Sequence, residues 1–163
     1  MEAKIIIEDN IVRKHLGNHK WPKPIYDMYM MFCHDKPYCM KELHWENDKE
    51  YTMEKLDIIC TVQEALEKPH HFPLNKKVLL DIMITYNQIY LDCLKFSKDN
   101  LKQMYFMHRD MGMQNLVVTY DLEVKLIDVD AFEITPSLVP WKFLNTNATV
   151  QWLVNEKLPH VPV

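Results

Sequence analysis

The sequence predicts an α+β fold, mostly helical, and three observations carry that expectation. In residues 75 to 97, Leu79, Ile82, Met83, Tyr86, Ile89, Tyr90, Cys93 and Leu94 recur at helical spacing. Two short apolar runs, NLVV and VKLIDV, flank the turn residues TYD and read as a small β-hairpin. Glycine occurs only at Gly17 and Gly112, so a glycine-rich phosphate loop, which needs several close together, has nowhere to form.

In chain order, residues 3 to 16 are expected as a helix, with Ile5, Ile6, Val12 and Leu16 inside and Glu8, Arg13 and Lys14 outside. The triple isoleucine leaves a strand open for the first part. GNHKWPKP breaks this element, with Gly17 as a helix C-cap. IYDMYMMFCHDKPYCMKELHW reads as a β-hairpin turning at HDKP, its Met-rich run a buried strand. ENDKE is a polar turn. Residues 51 to 67 suit a short helix, with Leu56, Ile59, Cys60, Gln63 and Leu66 at helical spacing, and KPHHFP ends it. Asn75 is the N-cap of the long helix. The tail from 131 to 163 is expected to be irregular, with a helix near 147 to 156.

The 163 residues suit one domain. The formal charge of -4, with both signs interspersed, argues against a nucleic-acid partner, whose binding surface is normally basic. No apolar run approaches the roughly 20 residues that cross a bilayer, so no membrane partner is expected. MEAKIIIEDN has too short an apolar run for a signal peptide, which points to a cytoplasmic chain. The four cysteines form no C-x-x-C pair and are expected as reduced thiols, although Cys33 and Cys39 face each other across the expected hairpin, which leaves a disulfide open. Asn147-Ala-Thr149 matches a glycosylation acceptor, read as chance for a chain without a signal peptide. His70 and His71 lack metal-site spacing and read as solvated. Ser97 and Ser137 have no nucleophile context.

The stretch MHRDMGMQNLVVTYDLEVKLIDVDAFEI, residues 107 to 134, is the richest in chemistry. His108, Arg109, Asp110 and Asn115 fit H-R-D-x-x-x-x-N, and Asp128-Val129-Asp130 follows the hairpin. On these residues the chain resembles the protein kinase superfamily, with Asp-Val-Asp in place of D-F-G. The resemblance implies a kinase-like C-terminal lobe, mostly helical, spanning 46–163, preceded at 1–45 by a reduced N-terminal lobe and hinge that keeps a β-hairpin remnant and no glycine-rich loop. It implies ATP with magnesium or manganese as cofactors. Asp110 would accept or orient a hydroxyl proton, with Arg109 pairing an acid or a phosphorylated side chain and His108 supporting the loop. Asn115, Asp128 and Asp130 would face the metal, and Met40, Lys41 and Glu42 would meet the adenine.

Several residues depart from the family. Gly112 stands where Ser/Thr kinases carry a lysine, no A-P-E follows, and an Asp-x-Asp is closer to aminoglycoside and lipopolysaccharide kinases. On this alignment the first three strands and their phosphate-pairing lysine are missing. A rival alignment makes Lys41 that lysine with Glu54 or Glu64 as its partner, but leaves no strands for the rest of the lobe. The expected function is therefore a phosphotransferase-like site with weak or lost activity on a protein or small-molecule hydroxyl. The alternative is a non-catalytic pseudokinase or kinase-lobe mimic that binds and regulates a full kinase or another protein, and the expected partners are another kinase or a chain that completes the N-terminal lobe. Asp110, Asp128 and Asp130 are expected to repel one another with no lysine nearby.

Overall fold

The computed structural model describes residues 2–110 and 112–138. Its first element is a hairpin, β1 (Lys4–Glu8) and β2 (Ile11–His15). The expected helix is overridden because β-branched residues alternate sides on both strands and Asp9-Asn10 closes a two-residue turn, with Asp9 at φ 45°. Gly17 caps no helix. It takes φ 64° in the turn after β2, where any side chain would be strained.

The Met- and aromatic-rich run is a helix, α1 (Lys23–Cys33), where a hairpin strand was expected. Pro24 suits its first turn, and Tyr29 and Phe32, three residues apart, bury one face. HDKP ends this helix, and Cys33 is joined to Cys39 by a disulfide, so these two thiols are not reduced as expected. Cys60 and Cys93 are free and buried.

The expected ENDKE turn is present, linking β3 (Leu43–Asn47) to β4 (Glu50–Glu54). The helix expected over 51 to 67 is mostly strand. After β4 comes β5 (Ile58–Thr61), and only α2 (Val62–Glu67) is helical. Thr61 and Glu64 close a reciprocal capping box that starts α2 there. The long helix is found as α3 (Lys76–Asn100), with the Asn75 side chain accepting from the Val78 N–H. The small hairpin is also found, as β7 (Leu116–Thr119) and β8 (Val124–Leu126), preceded by β6 (Tyr105–His108) and followed by β9 (Phe132–Thr135).

These strands form three antiparallel sheets, ordered β1-β2-β4-β3, β5-β7-β8 and β6-β9. The expectation of a mostly helical lobe with a two-stranded remnant is therefore wrong. Among the described residues, nine strands in several antiparallel sheets accompany three α-helices, which is not the architecture of a kinase C-terminal lobe. The resemblance to the protein kinase superfamily does not hold. The boundary expected between residues 45 and 46 falls inside β3. The physical reason is shared by each misread segment. Short apolar runs satisfy a helical and a pleated period alike, and cross-strand pairing decides between them. The helix expected near 147 to 156, and Asn147, lie outside the described residues.

One core joins the sheets and helices. Phe132 packs against Tyr29, Phe32, Phe106 and His108, with ring centroids 5.0 to 5.8 Å apart. Trp21 packs against Tyr26, Tyr29 and Tyr51 at 5.0 to 5.9 Å. Full burial of a large apolar side chain contributes about 1.5–3 kcal/mol. This shared core holds the four-stranded sheet over the β7–β8 hairpin. No described helix is long and apolar enough to cross a membrane.

Candidate functional site

The register of the four-stranded sheet puts Ile5 opposite Lys14, Ile7 opposite Val12, Lys14 opposite Tyr51 and Val12 opposite Met53. Directly opposed residues share a face, so these six side chains line one side of the sheet. Beneath that face is a cavity of about 390 Å³. Met40, Leu56, Ile58 and Ile127 complete its apolar lining, Glu54 and Lys55 also border it, and Asn115 and Asp128 line it together with Lys14.

The polar end is built around Lys14. Its Nζ donates to Asp128 Oδ1 and Asp130 Oδ1, both at 2.7 Å. The Tyr51 hydroxyl donates to the same Asp130 oxygen at 2.8 Å. His19 Nε2 donates to the Asp130 carbonyl at 2.9 Å. The Lys14 and Asp130 side chains are 12 % and 7 % exposed, whereas that of Asp128 is 35 % exposed. Burial opposes the Lys14 charge, but the Asp130 charge and the hydrogen bonds to both carboxylates outweigh it and raise its pKa. Burial likewise opposes the Asp130 charge. Lys14, with the Tyr51 hydroxyl, outweighs it and holds the carboxyl below its ordinary range. Tyr51 itself is pushed well up by burial beside Asp130.

The backbone around these carboxylates is unusual. Asp128 takes the left-handed conformation, φ 59° and ψ 43°, which Asp tolerates better than most side chains. Its carbonyl accepts from His108 Nε2 at 3.0 Å, while His108 Nδ1 accepts from the Asp110 N–H at 3.2 Å. Both ring nitrogens are thus used by a neutral imidazole, and burial lowers the His108 pKa. Asn115 Nδ2 donates to the Asp110 carbonyl at 2.8 Å, and the Ile127 N–H donates to the Asn115 carbonyl at 2.9 Å.

The residues singled out in the sequence are placed unevenly. Asn115 and Asp128 line the cavity, and Met40 is in its wall. Asp130 is buried and committed to Lys14 and Tyr51. His108 supports the loop through its two ring bonds. Arg109 is exposed, with its backbone N–H donating to the Ala131 carbonyl and its guanidinium 3.5 Å from His19. Asp110 is exposed and outside the cavity lining. Lys41 and Glu42 are exposed, and the Lys41 N–H donates to Glu54 Oε1 at 2.8 Å. The expected unrelieved carboxylate repulsion is absent, because Lys14 stands between Asp128 and Asp130.

Lys14, Tyr51 and His19 escaped the sequence reading. Helical spacing turned Lys14 outward, whereas the strand period of Val12 and Lys14 turns it in with Ile5 and Ile7. Among the described residues no three His, Cys, Asp or Glu side chains converge as a metal site. A magnesium ion held by one or two carboxylates together with substrate phosphates does not require such a group. No protein-family model matches the chain, and no curated protein matches it.

Proposed function

We propose that this cleft binds a nucleoside triphosphate such as ATP together with magnesium or manganese, as a phosphotransferase-like site of weak or lost activity. The observation that carries this reading is the join of an apolar slot to a charged end where Lys14 meets two carboxylates. A flat base suits the apolar walls, and the connection from β4 to β5 runs along the cavity at Leu56. Leu56 lines the cavity there, and its peptide groups would be the ones to meet a polar base edge.

Lys14 would then release Asp128 to contact phosphate oxygens. Asp128, the more exposed carboxylate, and Asn115 would hold the cation against the same phosphates, and the cation would neutralise charge developing on a transferred phosphoryl group. Asp130 stays with Lys14 and Tyr51 and keeps the ammonium aimed at the cleft. Asp110 is the group available to orient an attacking hydroxyl.

The weakness follows from the hairpin tip. Asp9 and Asn10 occupy the β1–β2 turn, with a carboxylate and no glycine, so backbone N–H groups are poorly disposed to cradle phosphates. The same observation favours a second reading, in which nucleotide is bound without transfer and the chain regulates a protein partner.

Calorimetry and thermal unfolding with ATP, with and without magnesium, test the proposal. A ligand at a hundredfold excess over its Kd stabilises by about 2.7 kcal/mol. The wild type should be stabilised by ATP with magnesium, Asp128→Asn should lose the magnesium-dependent part, and Lys14→Met should weaken binding of the nucleotide itself. A wild-type melting temperature unmoved by either ligand would overturn both readings.

A further inference from the structure

The strand β1 is an edge of the four-stranded sheet among the described residues, pairing only with β2. It is also unusually apolar for an edge. Ile5, Ile6 and Ile7 are 64 %, 41 % and 62 % exposed. Proteins normally blunt such an edge, since its free N–H and C=O groups template further pairing. This strand has no proline, no bulge and no inward charge. Its only charges are Lys4 and Glu8, at its two ends.

We propose that β1 pairs with β1 of a second copy of this chain, giving a twofold dimer with one continuous eight-stranded sheet. The argument is the symmetry of KIIIE. In the antiparallel register that sets Ile6 against Ile6, each Ile5 meets the other copy's Ile7, and each Lys4 meets the other copy's Glu8. Two opposite-charge cross-strand pairs form together with three apolar ones, and both classes are favourable in antiparallel ladders. A twofold interface must be self-complementary in this way.

The backbone agrees with this register. The two-residue turn closes on Glu8 and Ile11, a pair that exchanges hydrogen bonds. Alternation then directs the peptide groups of Glu8, Ile6 and Lys4 toward β2, and those of Ile7 and Ile5 outward. In the proposed register Ile5 and Ile7 are the hydrogen-bonded pairs and Ile6 lies on the dyad as a non-bonded pair. Shifting the register by one residue would break both Lys4–Glu8 pairs and turn the partner's apolar face over.

The dimer also bears on the cleft. Ile5 and Ile7 are cavity-lining residues, and the second copy's isoleucines would extend that apolar wall on the same face. The proposal does not depend on what the cleft binds.

The test is the mass of the full chain in solution, followed by sedimentation over a concentration series. The wild type should approach twice 19.6 kDa as concentration rises. Lys4→Glu sets carboxylates opposite each other at both ends, and Glu8→Lys sets ammonium groups opposite each other. Each single change should weaken the dimer on the order of tenfold or more, from two cross-strand pairs changing sign. The double change Lys4→Glu/Glu8→Lys should restore it. An equimolar mixture of the two single variants should form a heterodimer, since each then supplies what the other lacks. Both residues are exposed, and circular dichroism checks that the variants stay folded. A wild type that is monomeric throughout, or a dimer indifferent to both single reversals, would overturn the proposal.

Discussion

Lys14 is the residue on which the site's electrostatics turn. Its ammonium is nearly enclosed between Asp128 and Asp130, and removing one partner of a buried pair leaves the other charge uncompensated. Lys14→Met should therefore cost about 3 kcal/mol in urea unfolding, and adding Asp130→Asn should recover a substantial part. Additive losses would show that the two residues are not coupled. His108 sets the acid side. Its folded pKa is lowered by burial, so the unfolded chain takes up the proton first, from about pH 6.5 downward. Stability should fall as pH drops from that point toward the folded value, and His108→Gln should flatten this segment of a melting-temperature profile. Asp130, also lowered, contributes stability above about pH 3.9 that is lost as pH falls through its folded value. Lys14, raised, contributes stability present below about pH 10.4 that is lost as pH rises through its folded value.

At the scale of elements, α3 was legible because its signals agree. An apolar stripe at helical spacing follows a polar N-cap, and the Asn75 side chain does accept from the Val78 N–H at 2.9 Å. Asn75→Ala should cost about 1 kcal/mol and Asn75→Ser much less, measured by chemical unfolding. The β7–β8 hairpin was legible too, but not its anchorage. Lys125 on β8 is buried, and its Nζ donates to the carbonyl of Pro37 at 2.9 Å within the loop closed by Cys33 and Cys39. Lys125→Met should cost roughly 1–3 kcal/mol, because that carbonyl loses its donor. An unchanged unfolding midpoint would mean that solvent satisfies it equally well. By contrast, β1, β2, β4, β5 and α1 were misread, since apolar positions in segments this short fit a helical and a pleated period alike.

Across the whole molecule, Phe132 ties α1 to the β6–β9 pair and to the loop behind Asp128. It is 1 % exposed, between Tyr29, Phe32, Phe106 and His108. Phe132→Ala should cost about 3–5 kcal/mol. Because one core serves every sheet, far-ultraviolet dichroism and tryptophan fluorescence should report one coincident transition in the wild type. Separate transitions would show that the four-stranded sheet unfolds independently.

What the sequence determined by itself is what local chemistry can enforce. It specified a long amphipathic helix with its cap, a hairpin between two apolar runs, a polar turn at ENDKE, and a polar constellation at His108, Asp110, Asn115 and Asp128. The pairing of strands distant in sequence was left to the tertiary structure. That pairing made residues 4 to 15 a hairpin and turned Lys14 inward. It brought Lys14 and Tyr51 to Asp130 across 116 and 79 residues of chain. The physical reason is the energetics of burial. An ammonium is costly to bury unless opposite charge already waits for it, and only the folded sheet stacked on the β7–β8 hairpin supplies those carboxylates.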